Sequence, residues 1–517
     1  MNVAELVSKY RYNLVSLAGI LGLMAFAWVM SVNRRRLNWR AIGWGVGFQL
    51  FIGLLVFRLP GSARAFLWLN DRVLDVLGAA TEGQRFLFGS LADEKAHGFI
   101  LAAQALPVII FFAALMALLY HWRIMPLVIR GFAWLFTRLM RISGAESLCA
   151  ASNIFVGIES ATTVRPYLPG MTRSELCTIL TAGMATVASS TLAVYVKFLG
   201  GAFPTIAGHL IAASILSAPA AIVMSKILLP EDGTPLTMGK HVRLSVDPAS
   251  GAIEAVINGA MAGVKLVVGI CALLIAFLGL IALVNLILGW CGCWSLGRLL
   301  GAVMAEFALV MGVPWTDALS VGELLGERLI ATEIPAYLQL KGWLGSGHFE
   351  HARSPVIAAY ALCGFAHVAS LAIFVGGIAA LVPERRKDLA AVGPRALLAA
   401  TLACLMTGAV AGLFFTGATD ASDGIQLHTV RGQMVEPEPA SLLVQPRLKQ
   451  PGCTPTGVVD RDDHSAPSPS MTQQLRETQE SGGIELLLLA RHRPSAVDHV
   501  VGQEDIAGHR AASVGEP

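Results

Sequence analysis

Residues 143–169 read SGAESLCAASNIFVGIESATTVRPYLP, a stretch in which short apolar pieces surround Gly157 and Glu159. A second broken stretch, residues 297–340, carries Glu333. Neither stretch contains one continuous apolar run long enough to cross a membrane. Irregular backbone survives at membrane depth only where protein buries it or where it lines a wet cavity. Both stretches are therefore predicted to be re-entrant hairpins, and a carboxylate held at that depth indicates a functional site.

The composition is that of a polytopic membrane protein. Of the 517 residues, 55% are hydrophobic and 14% are charged, and the mean hydropathy is +0.63. Soluble domains carry about 25% charged residues. The net charge of +3 is too small and too scattered to indicate nucleic-acid binding. The first apolar run has no small-residue cleavage site, so it is interpreted as a membrane anchor and not as a removed signal peptide.

Apolar runs near the ~20 residues that a helix needs to cross hydrocarbon recur along the chain. They predict eight transmembrane helices, near residues 13–31, 39–58, 98–120, 174–196, 204–229, 263–290, 355–382 and 392–416. Residues 62–80, 125–141 and 250–262 are amphipathic and are predicted to lie along the membrane interface. The predicted fold class is therefore all-α and polytopic, with about eight transmembrane helices, two re-entrant hairpins and interfacial helices.

The loops that follow the first, third, fifth and seventh predicted spans are all basic. Their basic residues are Arg34, Arg35, Arg36 and Arg40, then His121 and Arg123, then Lys226, Lys240 and Arg243, then Arg385, Arg386 and Lys387. Basic loops stay in the cytoplasm. The pattern therefore predicts cytoplasmic basic loops and an N terminus outside the cell.

The first hairpin contains candidate groups for an anion, a hydroxyl or a small cation. Gly157 permits a turn where two half-helices meet, and their N-terminal amides can hold an anionic or hydroxyl-bearing group. Backbone carbonyls freed around Asn153 and Val156 are candidate oxygen ligands for a small cation. The next span contains TAGMATVASST, whose hydroxyls include those of Thr186 and Thr191. Ordinary helix packing is the competing interpretation, since small and hydroxylated residues are enriched at any membrane-helix interface.

The two glutamates are the strongest candidates for chemistry. Each precedes an aromatic–proline cluster, RPYL after Glu159 and IPAYL after Glu333, which suggests two equivalent half-sites. Carboxylates in corresponding positions of two halves are expected at the central site of a secondary transporter. The competing interpretation is a pair of structural salt bridges, from Glu159 to Arg165 and from Glu333 to Arg328.

His367 lies in CGFAHVAS, in the middle of the seventh predicted span and close to Phe365 and Ser370. A ring, an imidazole and a hydroxyl together can grip a planar, polyhydroxylated solute. Histidine is the side chain that ordinarily exchanges a proton near neutral pH, which also makes His367 a candidate proton carrier. A buried packing histidine is the alternative.

Five motifs in order resemble the concentrative nucleoside transporter family. They are NxxxG…E…RPYL at 153–168, GMATVAS at 183–189, GVPWxDALxVGxLLG at 312–326, ExxAYL at 333–338 and ALCGFA…S…GGI at 361–378. The resemblance covers about residues 85–416. It implies a homotrimer in which two hairpin-plus-helix units form an inverted repeat on a scaffold. It also implies nucleoside import driven by a sodium or proton gradient.

The same resemblance implies roles for single residues. Glu159 matches a glutamate that contacts the nucleoside, and Glu333 one that binds ribose hydroxyls. Phe365 matches an aromatic residue that faces the nucleobase, and Ser370 a serine that faces ribose. The implied substrate-binding residues are Gly157, Ile158, Glu159, Ser160, Thr191, Glu333, Phe365, His367 and Ser370. The implied sodium ligands are Asn153, Val156, Thr186 and Val187.

Three departures from the family pattern bear on the solute. The first hairpin has GIE at 157–159, one residue shorter than the usual Gly-Gln-Thr-Glu, so apolar Ile158 replaces the polar pair that reads the base edge. The usual asparagine of the seventh span is His367, and the usual lysine and asparagine of the second hairpin are Arg328 and Thr332. A site that loses hydrogen-bonding partners loses affinity for the ligand that needs them.

The sequence thus predicts a sodium- or proton-coupled importer of nucleosides in the inner (plasma) membrane, with no catalytic residues and no cofactor besides the coupling ion. The expected partners are a nucleoside-like solute, membrane lipid and two further copies of the chain. An importer of a nucleobase or another small polar solute is the alternative, and a membrane-embedded hydrolase is a remote one. The predicted organisation is scaffold helices at 1–96, a first repeat at 97–260, a second repeat at 261–417 and a disordered tail at 418–517.

Overall fold

The computed structural model describes residues 3–57, 62–240, 242, 249–290 and 295–415, without the side chains of residues 3–9, 62–66, 95, 158 and 159. Apart from one isolated bridge, the secondary structure of these residues is entirely helical. Seven of the described helical segments are long and apolar enough to cross a membrane. The predicted all-α membrane fold is therefore confirmed. The tail predicted to be disordered lies outside the described residues.

Eighteen α-helices form the described chain. They are α1 Val3–Val29, α2 Trp39–Phe57, α3 Ser62–Phe88, α4 Glu94–His97, α5 Leu101–Gln104, α6 Pro107–His121, α7 Ile124–Met140, α8 Gly144–Asn153, α9 Arg173–Ala185, α10 Ser189–Leu199, α11 Ile206–Leu228, α12 Ala252–Trp290, α13 Leu296–Val310, α14 Trp315–Ile330, α15 Glu333–Gly345, α16 Arg353–Leu362, α17 Val368–Leu381 and α18 Arg386–Phe414. A 3-10 helix, Ile158–Gly170, follows α8.

The first hairpin consists of α8 and the 3-10 helix. A capping box begins α8, because Ser143 accepts from the Glu146 amide while the Glu146 carboxylate accepts from the Ser143 amide. The chain leaves the α-helix at residues 154–157. The returning arm contains Pro166 and Pro169, which lack the N–H groups that a regular α-helix needs.

The second hairpin spans fewer residues than the sequence predicts. Residues 297–340 were expected to form it, but they contain three helices, α13, α14 and most of α15. The first of these packs along α14 at very short range, since a Cβ on Gly322 would lie 2.4 Å from the Gly301 carbonyl oxygen. The tip of the hairpin is Ala331–Thr332, between α14 and α15.

Three of the eight predicted spans are broken, and the one expected at 98–120 consists of α5 and α6 with residues 105–106 between them. The span expected at 355–382 consists of α16 and α17 with residues 363–367 between them, and the span expected at 174–196 consists of α9 and α10 with residues 186–188 between them. Conversely, residues 250–262 were expected to form an interfacial helix apart from the next span. They belong instead to the single 39-residue helix α12, which contains no proline to interrupt it.

Candidate functional site

The breaks between α9 and α10 and between α16 and α17 lie against each other. A Cβ on Gly364 would lie 2.6 Å from both the Ala185 carbonyl oxygen and the Cys404 Sγ, so this approach requires glycine. The tip of the first hairpin joins the same place, because the Ser189 N–H donates to the Phe155 carbonyl (2.9 Å). Three segments of non-helical backbone therefore meet inside the helical bundle.

Two of these segments carry the predicted sodium ligands. Asn153 is fully buried, and its Nδ2 donates to the Cys149 carbonyl (3.1 Å) while its Oδ1 accepts from Ser160 Oγ (2.8 Å). These bonds fix which way the amide oxygen points. Thr186 Oγ1 donates to the Ala182 carbonyl (2.8 Å) and keeps lone pairs for a further contact.

The backbone carbonyls in the same set belong to residues with no helical structure. Val156 lies at the tip of the first hairpin, and Val187 lies in the break between α9 and α10. Carbonyl groups outside a helix are not committed to its i→i+4 bonds, so they are available as ligands.

Glu333 is the first residue of α15 and is only 2% exposed. Its Oε1 accepts from Tyr195 Oη (2.7 Å), and its Oε2 lies 3.2 Å from His367 Nε2. That second contact has the distance of an ion pair without the angle of a hydrogen bond. Among the described residues, Oε2 therefore has no hydrogen-bond donor.

Arg328 does not form the salt bridge with Glu333 that the competing interpretation required. Its guanidinium, 1% exposed, donates through Nη1 to the Ala361 carbonyl. Among the described side chains, the basic group within 4 Å of the Glu333 carboxylate is the His367 imidazole, at 3.2 Å. The arginine therefore supports the end of α16, where it satisfies a carbonyl next to the break.

His367, Phe365 and Ser370 contact one another, as their spacing predicts. His367 is the N-cap of α17: its Nδ1 accepts from the Ser370 N–H (3.2 Å), and the His367 N–H donates to Ser370 Oγ (3.3 Å). Ser370 Oγ also contacts the Phe365 carbonyl. The half-buried Phe365 ring stands edge-on to the imidazole, with 6.4 Å between the ring centroids.

The remaining predicted residues lie on the first hairpin and α10. Ser160 and Thr191 are both buried, and Thr191 lies in the first turn of α10. Gly157 immediately precedes the 3-10 helix. Ile158 and Glu159 are the first residues of that helix, and their side chains lie outside the described part of the structure.

Sequence reasoning missed Tyr195, which is fully buried on α10. It lies one turn after Thr191, a spacing that places both residues on one face of the helix. Its ring stacks on Tyr337, with centroids 4.5 Å apart and planes at 28°. Tyr337 Oη in turn donates to the Ala359 carbonyl (2.9 Å). The sequence signal that could have identified Tyr195 is its position one helical turn after the hydroxyl-rich segment that ends at Thr191.

Three family models match consecutive parts of the chain. One described as Na+ dependent nucleoside transporter N-terminus matches residues 18–91, and one described as nucleoside recognition matches residues 102–202. One described as Na+ dependent nucleoside transporter C-terminus matches residues 209–412. The three matches together cover most of the described chain.

Curated relatives have similar sequences. Solute carrier family 28 member 3 of Mus musculus is 37% identical over 438 residues, which are 81% of this chain and 60% of that relative. Nucleoside permease NupC of Helicobacter pylori is 36% identical over 416 residues, which are 78% of this chain and 98% of the permease. The chain thus spans about 60% of the length of the mammalian relative and nearly all of the bacterial one.

Solved structures agree in fold. CNTnw in an inward-facing substrate-bound state matches with a TM-score of 0.73 and 35% identity, covering 78% of this chain and 98% of that one. A variant of CNTnw in an outward-facing state matches with a TM-score of 0.74 and 34% identity, covering 78% and 99%.

Proposed function

The chain belongs to the Na+-dependent nucleoside transporter family, and we propose that it is a cation-coupled importer of nucleosides across the cytoplasmic membrane. Its relatives are transporters and not enzymes, so the hydrolase alternative is set aside. The observation that carries the proposal is the buried Glu333 carboxylate, whose Oε2 has no hydrogen-bond donor among the described residues. Holding such a group inside a membrane protein is costly, and a hydroxyl-bearing solute would offset that cost.

The groups around Glu333 suit a nucleoside. A sugar hydroxyl would donate to Oε2, and Ser370 and His367 lie next to that position. The half-buried ring of Phe365 offers a face for the base. Ile158 stands where the family has a polar pair, and this difference favours altered base preference over loss of sugar recognition. It is also the reason to keep a nucleobase or another small polar solute as the second candidate.

Sodium is the coupling ion that the oxygen groups favour. Hard cations take carbonyl, amide and hydroxyl oxygens as ligands. The candidates are Asn153 Oδ1, Thr186 Oγ1 and the carbonyls of Val156 and Val187, in segments joined by the Ser189–Phe155 hydrogen bond. His367 is the group that would favour protons.

We also propose a homotrimer with its N terminus outside the cell and its basic loops in the cytoplasm. In support of an assembly, α12 buries only 6% of its most apolar window within the subunit. It packs against α6 through small residues, since a Cβ on Gly259 would lie 2.6 Å from the Ala117 Cβ. Most of its apolar surface is therefore left for lipid or for neighbouring copies.

Uptake by reconstituted vesicles tests the function. We expect wild-type protein to accumulate radiolabelled uridine or adenosine on an imposed sodium gradient, more than on a proton gradient. Glu333→Gln should lower uptake at sub-saturating nucleoside at least about tenfold, because a neutral amide is a weaker acceptor for the hydroxyl. Glu350→Gln makes the same substitution at an exposed site and should leave uptake unchanged. Folded wild-type protein that takes up no nucleoside on either gradient would contradict the proposal.

A further inference from the structure

Residues of two other elements approach the Glu333 carboxylate from opposite oxygens. Tyr195 reaches Oε1 from α10 at 2.7 Å, and His367 reaches Oε2 from the N-cap of α17 at 3.2 Å. Both side chains are buried. An ionised carboxylate only accepts hydrogen bonds, so the Tyr195 hydroxyl proton points at Glu333. One carboxylate oxygen is thereby committed to the protein.

The second contact depends on where His367 carries its proton. Its Nδ1 accepts from the Ser370 backbone N–H at 3.2 Å, within the capping box of α17. A backbone amide can donate but cannot accept, so Nδ1 bears no proton. The hydrogen-bond network therefore assigns the neutral tautomer with its proton on Nε2, the nitrogen that faces Glu333. Protonating Nδ1 would remove the cap from α17.

Other groups near the pair leave this assignment intact. Tyr337 of α15 stacks behind Tyr195, Cys363 lies in the α16–α17 break, and Arg328 of α14 is turned to the Ala361 carbonyl. No other acidic side chain among the described residues lies within ion-pair distance of His367. The tautomer of His367 is therefore assigned from its own hydrogen bonds.

We propose that Tyr195 is a positioning residue that orients Glu333 so that Oε2 accepts one sugar hydroxyl, and that the neutral His367 is not the carrier of a coupling proton. The part of this inference that concerns the sugar hydroxyl rests on the proposed function. The assignment of the His367 tautomer is independent of that function. In this arrangement the first repeat, through α10, sets the acceptor geometry of the second hairpin.

Nucleoside analogues test the role of Tyr195. Uridine, 2′-deoxyuridine and 3′-deoxyuridine are compared in wild type, Glu333→Gln, Tyr195→Phe and Tyr337→Phe. We expect Tyr195→Phe to raise KM for uridine about tenfold with little change in maximal rate, as loss of a hydrogen bond to a charged group predicts. The increase should disappear for the deoxy analogue whose uptake is insensitive to Glu333→Gln.

Tyr337→Phe is the matched control, because it removes a buried hydroxyl from the same ring stack without a contact to Glu333. It should change KM for the three sugars by one common factor. If Tyr195→Phe also acts equally on all three sugars, or has no effect, the positioning role is wrong. Wild-type uptake in the same series separates that result from failure of the proposed function.

The imidazole is tested directly by nitrogen NMR of histidine-labelled full-length protein. Signals lost in His367→Asn belong to His367, and asparagine is a suitable replacement because its Oδ1 can still cap α17. We expect one unprotonated ring nitrogen and one N–H nitrogen at neutral pH. An imidazolium spectrum would overturn the assignment whether or not any nucleoside is transported. The assignment would also be overturned if wild-type uptake changed with pH on the acidic side of neutrality and uptake by His367→Asn did not.

Discussion

Gly364 shows how one missing side chain positions the site. Its Cα lies so close to α9 that an added Cβ would stand 2.6 Å from the Ala185 carbonyl oxygen, which is backbone and cannot rotate away. The residue is the second of the break at 363–367 and directly precedes Phe365. Its size therefore sets how closely the α9–α10 and α16–α17 spans approach each other.

Gly364→Ala should lower the thermal-unfolding midpoint and impair uptake of every nucleoside to a similar extent. Overpacking a well-packed interior costs about 1–3 kcal/mol, because neighbouring backbone must shift. Gly376→Ala in α17 is the control, since its added Cβ would meet nothing within 4 Å. The midpoint is measured on purified protein in detergent. Equal behaviour of the two variants would refute the close-packing argument.

At this scale the sequence predicted residues that act near their own neighbours. His367 with Phe365 and Ser370 was recognisable, because a capping box and a ring contact are local in the chain. Tyr195 was not, since its hydrogen bond to Glu333 joins residues 138 positions apart. The competing interpretation, a salt bridge from Glu333 to Arg328, could not be decided from the sequence for the same reason; in the structure the arginine donates to a carbonyl of α16.

Two helices that begin at the base of the first hairpin, α8 and α9, both contact one buried lysine. Lys226, near the end of α11, lies 2.5 Å from Glu146 Oε1 and donates to Ser174 Oγ (3.0 Å). Glu146 belongs to the capping box of α8, and Ser174 lies in the first turn of α9. A basic residue counted with a cytoplasmic loop is therefore 3% exposed. The charge of Lys226 favoured a place in the loop. In the structure, oxygen atoms from three elements surround its ammonium group and stabilise it inside the protein.

Lys226→Met should destabilise the protein by about 3–5 kcal/mol, since it leaves the Glu146 carboxylate buried without its cation. Unfolding is followed by the melting of purified protein. Adding Glu146→Gln to Lys226→Met should recover most of the loss, because the uncompensated charge is then gone. Lys387→Met changes an exposed lysine and should have little effect. A lack of recovery in the double variant would show that the ion pair is not the source of the stability.

Span counting from hydropathy succeeded for helices that cross without interruption and failed at the functional centre. The breaks at 186–188 and 363–367 lie inside apolar runs, so composition alone gives no signal of them. The breaks persist because other segments supply hydrogen-bond partners for the freed backbone groups. The Phe155 carbonyl, for example, accepts from the Ser189 N–H. The sequence thus located the two hairpins. The positions at which these two spans are broken could not be predicted, because they depend on tertiary contacts.

At the scale of the whole molecule, three of the four basic loops, those after α1, α11 and α17, lie at one end. The Val32 N–H donates to the Leu228 carbonyl (3.1 Å), which joins the loop after α1 to the end of α11. Arg385 donates to the Met171 carbonyl (2.7 Å), which brings the segment after α17 to the base of the first hairpin. A common end is what a shared cytoplasmic location requires.

Thiol labelling tests the orientation that follows. We expect Arg35→Cys, in the first basic loop, to react with a membrane-impermeant maleimide only after the cells are permeabilised. Ser346→Cys, directly after α15, should react in intact cells, because the segment that follows α15 lies near the start of α1, where His351 packs on Tyr12, and the first basic loop follows the other end of that helix. Both positions are exposed, whereas the native Cys149, Cys177, Cys363 and Cys404 are buried. The parent chain gives the background. Labelling of Arg35→Cys in intact cells would reverse the orientation and with it the side from which solute enters.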